Sequence, residues 1–111
     1  MISRYAMMIS KKAGGNPYGI FGYGEFTSLL SMTNLVTSNG VVGSDVTGVG
    51  TVRNNLAACG YGGDKGIFGY GDNGSAYKSL TNLVSNTGVV SSDVTGVGTV
   101  RNMLAACSYG S

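Results

Sequence analysis

The chain has 111 residues, 42% hydrophobic and 11% charged, well under the roughly 25% charged residues of an ordinary soluble domain. That length makes one small domain or part of a larger assembly. The net charge of +2 is scattered over Arg4, Lys11, Lys12, Arg53, Lys65, Lys78 and Arg101; without a dense basic patch, the reading excludes a nucleic-acid partner.

In chain order, the opening MISRYAMMISKK is Met-rich but has no basic stretch ahead of an apolar core, so it does not read as a secretory signal. No apolar run approaches the roughly 20 residues a membrane helix needs, and no membrane insertion is expected. GIFGYG follows at residues 19–24, then EFTSLLSM, TNLVTSN, GVVGSD and the turn DVTGVGT. VRNNLAACGYG (52–62) predicts a strand, GGDKG a turn, and KGIFGYG (65–71) a second strand. LTNLVSN (80–86) and GVVSSD (88–93) predict a third and fourth strand, closed by DVTGVGT (93–99). Gly, Val, Thr and Asn dominate, and no segment keeps a helical apolar period, so the expectation is all-β.

The second half of this series copies the first. GIFGYG recurs after 47 residues and the TNLV segment after 48, so one residue is inserted between them, in DNGSAYKSL relative to EFTSLLSM. Those segments are the expected surface loops. A repeat of this length with β composition predicts propeller blades or another stacked β array. The expected organisation is a degenerate first unit at 4–52, a second unit at 53–100, and an extra first strand at 101–111. In this frame RYAMMIS is a divergent version of the Arg-bearing first strand.

GIFGYG, taken as a strand, puts Ile20, Gly22 and Gly24 on one face and Phe21 and Tyr23 on the other. The glycine face would let a neighbouring sheet approach closely. Its G-x-x-G-x-G spacing is not that of a dinucleotide loop, and no helix follows to hold a phosphate. The same objection removes TGVGT at 47–51 and 95–99.

Catalysis has little to draw on. There is no histidine, which removes the commonest base near neutral pH. Cys59 and Cys107 occupy equivalent positions and are expected as free thiols; one Cys per unit without His forms no usual metal site. Of five carboxylates, Asp45, Asp64 and Asp93 fall in turns. Glu25 and Asp72 sit at the variable loop and, with Asn73 and Tyr77, form the candidate ligand-facing set. The pairs Asp45/Arg53 and Asp93/Arg101 flank the tight turn and are expected to lock the repeat, as an ion pair or through Arg bonds to backbone. Gly22, Gly24, Gly69 and Gly71 complete the structural set. No cofactor is expected.

The unit resembles a kelch-type β-propeller blade. The likeness is carried by Arg53, Gly63, Asp64, Ile67, Phe68, Gly69, Gly71, Asn82, Val84 and Asp93, and by Arg101, Ile20, Phe21, Gly22, Gly24, Asn34, Val36 and Asp45 in the other unit. It departs where Tyr23 or Tyr70 splits the adjacent glycines and where the late tryptophan is missing. The chain is also similar to tandem repeats built on KGIFGYG, TNLVSN, GVGT and LAA in proteins of bacteriophage and aquatic metagenomes. The kelch likeness implies four-stranded antiparallel blades, two per chain. Because two blades leave open edges, the expectation is a homo-oligomer that completes the ring, such as a trimer making six blades. A non-enzymatic structural or interaction protein, at a virion or a cell surface, is the first functional expectation. A lectin-type carbohydrate binder is the second, and a self-assembling β fibre or solenoid is the third.

Overall fold

The computed structural model describes residues 17–110. The divergent first strand around Arg4 lies outside the described residues. Among them there is no helix, and five strands form two antiparallel sheets. In the first unit β1 (Gly19–Gly22) pairs with β2 (Thr33–Val36), Gly19 opposite Val36 and Gly22 opposite Thr33. In the second, β3 (Ala57–Tyr61), β4 (Lys65–Gly69) and β5 (Thr81–Val84) lie in that order. Cys59 there faces Ile67, and Phe68 faces Asn82.

Each unit adds a last segment that stops short of a continuous strand. Val42 and Val46 bridge Val36 and Thr33, while Val90 and Val94 bridge Val84 and Thr81. The antiparallel units are therefore present, but the sheets stay open and no ring is closed. The expected strand 52–62 begins only at Ala57, because Asn55 takes a φ of 54° and turns the chain. Asparagine is one of the few non-glycine residues that take up that left-handed region readily.

The alternation expected for GIFGYG ends at Gly22. Tyr23 has a φ of 64°, as does its counterpart Tyr70. The reversal carries the Tyr23 ring out of the β1 plane, so it shares no face with Phe21: Tyr23 is 7% exposed and Phe21 64%. Tyr23 packs instead against Phe68 of the second unit, ring centroids 5.1 Å apart. These two residues and Val84 form the buried apolar core, with Ile20, Leu56 and Val90 packed around it. The core thus sits between the units.

Gly22 makes this contact possible. A Cβ there would lie 2.8 Å from Phe68 Cζ and 2.9 Å from Thr33 Cγ2. The glycine face does admit a neighbouring sheet.

Candidate functional site: the seam between the units

The segment joining the units, residues 49–55, supplies the polar half of the seam. Arg53 is fully buried. Its guanidinium lies over the Tyr23 ring, 4.7 Å from the centroid. Nε donates to the Thr51 carbonyl at 3.1 Å, and Nη1 to the Tyr70 and Leu80 carbonyls at 3.1 and 3.2 Å. Nη2 donates to Asn82 Oδ1. Of the two expected roles, the structure gives Arg53 backbone carbonyls and an amide as partners; the expected pairs do not form, since Asp45 accepts from Asn34 and Asp93 from Thr51 and Asn82 rather than from Arg101.

Asp93 closes the far side of the seam. Its Oδ2 accepts from Thr51 Oγ1 at 2.6 Å, and its Oδ1 from Thr51 N at 3.1 Å and Asn82 Nδ2 at 3.0 Å. Asn82 is itself fully buried. It accepts from Arg53 and donates to Ser91 and Asp93, so one amide satisfies groups from three segments. Gly50, at φ 84°, lets the joining segment pass; a Cβ there would come 2.5 Å from Asp93 Oδ1.

The electrostatics follow from this packing. Burial pulls the Arg53 guanidinium down from its ordinary value, while Tyr23 and Asp93 oppose the shift. Burial pushes the Tyr23 phenol up, partly offset by Arg53. Burial alone would raise the Asp93 carboxyl, but the bonds from Thr51 and Asn82 outweigh it and hold it below its usual value. The Tyr23 hydroxyl donates to the Val49 carbonyl at 2.8 Å, tying the ring to the joining segment.

The variable-loop residues lie together, at the Asn54 end of the joining segment. Glu25 bridges Leu29, and Asp72 bridges Tyr77, so each loop closes on itself and the inserted residue falls inside the second. Asn54 stands between them, donating to Glu25 Oε1 at 3.1 Å and bridging Asp72 through backbone. Asp72 and Asn73 use their side-chain oxygens on the turn, accepting from Gly74 N, and from Ser75 N and Ala76 N respectively. Tyr77 is half exposed.

Elsewhere, Asp64 pairs with Lys65 at 3.1 Å, and Asn86 and Lys65 hold its carboxyl below the usual value. Cys59 and Cys107 are free thiols, half-buried and exposed respectively. Among the described residues no three His, Cys, Asp or Glu side chains come together as a metal site, and no helix is long and apolar enough to cross a membrane. An apolar cleft of about 750 Å³ runs between β1–β2 and the second sheet, lined in part by Ile20, Leu35, Phe68, Val84 and Cys59.

The seam residues that sequence reading passed over are Thr51, Tyr23 and Asn82 as partners of Arg53. Their recurrence as Thr99, Tyr70 and Asn34 was the available signal; which unit each would touch was not.

No protein-family model matches the chain, and a search of curated proteins finds no match.

Proposed function

We propose that this protein is a non-enzymatic structural or interaction module, a kelch-like propeller-type repeat whose units pack face to face and whose copies associate. The observation that carries the reading is the seam: its chemistry holds one repeat unit against the next. Arg53 and Asn82, two fully buried polar side chains, and the exposed Asp93 beside them have their hydrogen bonds taken by other parts of the same chain. Exposed apolar side chains at the two ends of the described residues support association. Phe21 and Tyr18 are 64% and 65% exposed at one, and Met103 and Tyr109 are 77% and 99% exposed at the other. Exposed apolar area on this scale marks an interaction surface.

Three copies would supply six blades; an assembly that fails to close would grow as a fibre. The mass in solution, followed over a wide concentration range, tests the reading. A small whole-number multiple of the chain mass supports the ring, a continuously growing species supports the fibre, and a monomer throughout overturns both.

Carbohydrate binding has one specific point in its favour. The exposed Tyr77 ring stands next to Asp72 and near Glu25 and Asn54, an arrangement of stacking face and polar groups that suits a sugar. A glycan array probed with the chain and with Tyr77→Ala tests it; retention that the substitution leaves unchanged counts against this loop.

A further inference from the structure

The seam has a donor half and an acceptor half, and each recurs at an end of the described chain without its complement. The donor half, Thr51, Arg53 and β3, returns as Thr99, Arg101 and residues 105–109. Arg101 already lies 4.4 Å from the Tyr70 ring centroid and donates to the Thr99 carbonyl at 3.1 Å, as Arg53 does toward Tyr23 and Thr51. Met103 repeats the φ of 54° found at Asn55. Yet Arg101 is exposed, and its other N–H groups meet no acceptor among the described residues.

The acceptor half, Asn82, Asp93 and the carbonyls of Tyr70 and Leu80, returns as Asn34, Asp45, Tyr23 and Met32. Asn34 Nδ2 donates to Gly43 O at 3.1 Å and Asp45 Oδ1 at 2.8 Å, matching Asn82 on Ser91 and Asp93. The atom that receives Arg53 in Asn82, Oδ1, has no donor in Asn34 among the described residues. Phe21 is 64% exposed where its counterpart Phe68 is 4% exposed. The outer edge of β1 carries no strand among the described residues, whereas that of β4 is covered by β3.

Resting on the homo-oligomer reading above, we propose that residues 99–109 of one copy complete the first unit of a second copy. The segment adds as a strand to the outer edge of β1, in the register that β3 takes on β4. Ala105 then faces Gly22, Ala106 faces Phe21, and Cys107 faces Ile20. Arg101 joins the acceptor set of Asn34 and the Tyr23 and Met32 carbonyls, the Met32 carbonyl taking it beside Tyr23 N as the Leu80 carbonyl takes Arg53 beside Tyr70 N; Thr99 meets Asp45, and Tyr70 packs on Phe21. Strand addition of this kind takes affinity from backbone bonds and specificity from the side-chain sockets.

The donor end needs no unfolding to do this. Met103 N donates to Asn55 O at 2.8 Å and Ser108 Oγ to Gly60 O, which hold the segment beside β3. Residues 104–110 have no other backbone partner among the described residues. The complementarity is directional, since donors stand at one end and acceptors at the other. That favours a second copy as occupant over an unrelated partner.

Sedimentation of the full chain and two variants tests this. Arg101→Ala damages only the donor end and Phe21→Ala only the acceptor end. Each is expected to keep the far-ultraviolet circular dichroism of the parent and to associate roughly thirtyfold more weakly. Mixed together they should form a one-to-one dimer and nothing larger, because only one intact pair of ends exists in the mixture. Alkylation of Cys107 should slow on assembly of the parent but not of Arg101→Ala. A parent that assembles while Arg101→Ala, or a chain lacking residues 100–111, assembles equally well overturns the strand docking and leaves the homo-oligomer reading standing. A parent that is monomeric throughout overturns both.

Discussion

Arg53 reaches the Tyr23 ring of the first unit, the Tyr70 and Leu80 carbonyls of the second, and the Thr51 carbonyl between them. A buried guanidinium without a carboxylate at contact distance depends wholly on such acceptors. Hydrogen bonds to charged groups each contribute about 1.5–3 kcal/mol. Arg53→Ala should therefore destabilise the chain by about 3 kcal/mol in denaturant unfolding, since it also strands the Asn82 acceptor. Arg53→Lys should recover little, because an ammonium cannot reproduce the planar fork. Arg101→Ala should change the stability of the isolated chain by no more than about 0.5 kcal/mol, as expected at an exposed position. Equal effects at the two sites would contradict the placement of Arg53 in a seam.

Asp93 gives the same region a pH dependence. Its carboxyl is held below its ordinary value in the folded chain, so the folded state favours the charged form. The stability this contributes is full above about pH 4 and is lost as pH falls through the lower folded value. Acid unfolding should begin at the seam, seen as early exposure of Tyr23 fluorescence. Asp93→Asn should flatten that part of the curve while lowering stability at neutral pH.

At the scale of the elements, GIFGYG occurs twice but does two jobs. Gly22 faces Phe68, while Gly69 meets chiefly Thr81 Cγ2, at 3.0 Å. Gly22→Ala should thus cost more in thermal unfolding than Gly69→Ala, both measured at dilution; the reverse order would argue against the packing of Tyr23 and Gly22 on Phe68. The strands themselves were legible in the alternating apolar residues and turn glycines. So was the variable loop, where the spacing difference marked the inserted residue that the Asp72–Tyr77 bridge encloses. What could not be read was the end of the alternation: the left-handed turn at Tyr23 falls on a residue that normally avoids it, and the one at Asn55, though asparagine tolerates it, sits inside a run with strand composition. Once Tyr23 leaves its strand, its partner lies in the other unit, and no local pattern records that. The fourth strand was over-read for a related reason: GVVSSD has the composition of a strand, but its contacts with β5 reduce to bridges at Val90 and Val94.

For the whole molecule, the repeat explains both what is buried and what is not. Among the described residues the buried apolar groups lie between the two units, so Phe68 is hidden while Phe21, the same residue of the other unit, is exposed. The candidate ligand set was legible as a group in space, since Glu25, Asp72, Asn73 and Tyr77 do lie near one another. Its chemistry was not, because the Asp72 and Asn73 oxygens are taken up by their own turn. The seam was legible only as a pair of recurring residues, Arg and Asp, whose partners depend on how one unit is stacked upon the next.

The two loops closed by the Glu25–Leu29 and Asp72–Tyr77 bridges differ by one residue in length on otherwise matching frames. A change of length there is absorbed inside the loop, without shifting the register of any strand or disturbing Arg53. Such loops are natural grafting points. A peptide inserted between Asp72 and Tyr77 would be carried outward by each copy, and an ordered array of copies would present it at a regular spacing. The plainest use of this chain in the laboratory would be as a display scaffold.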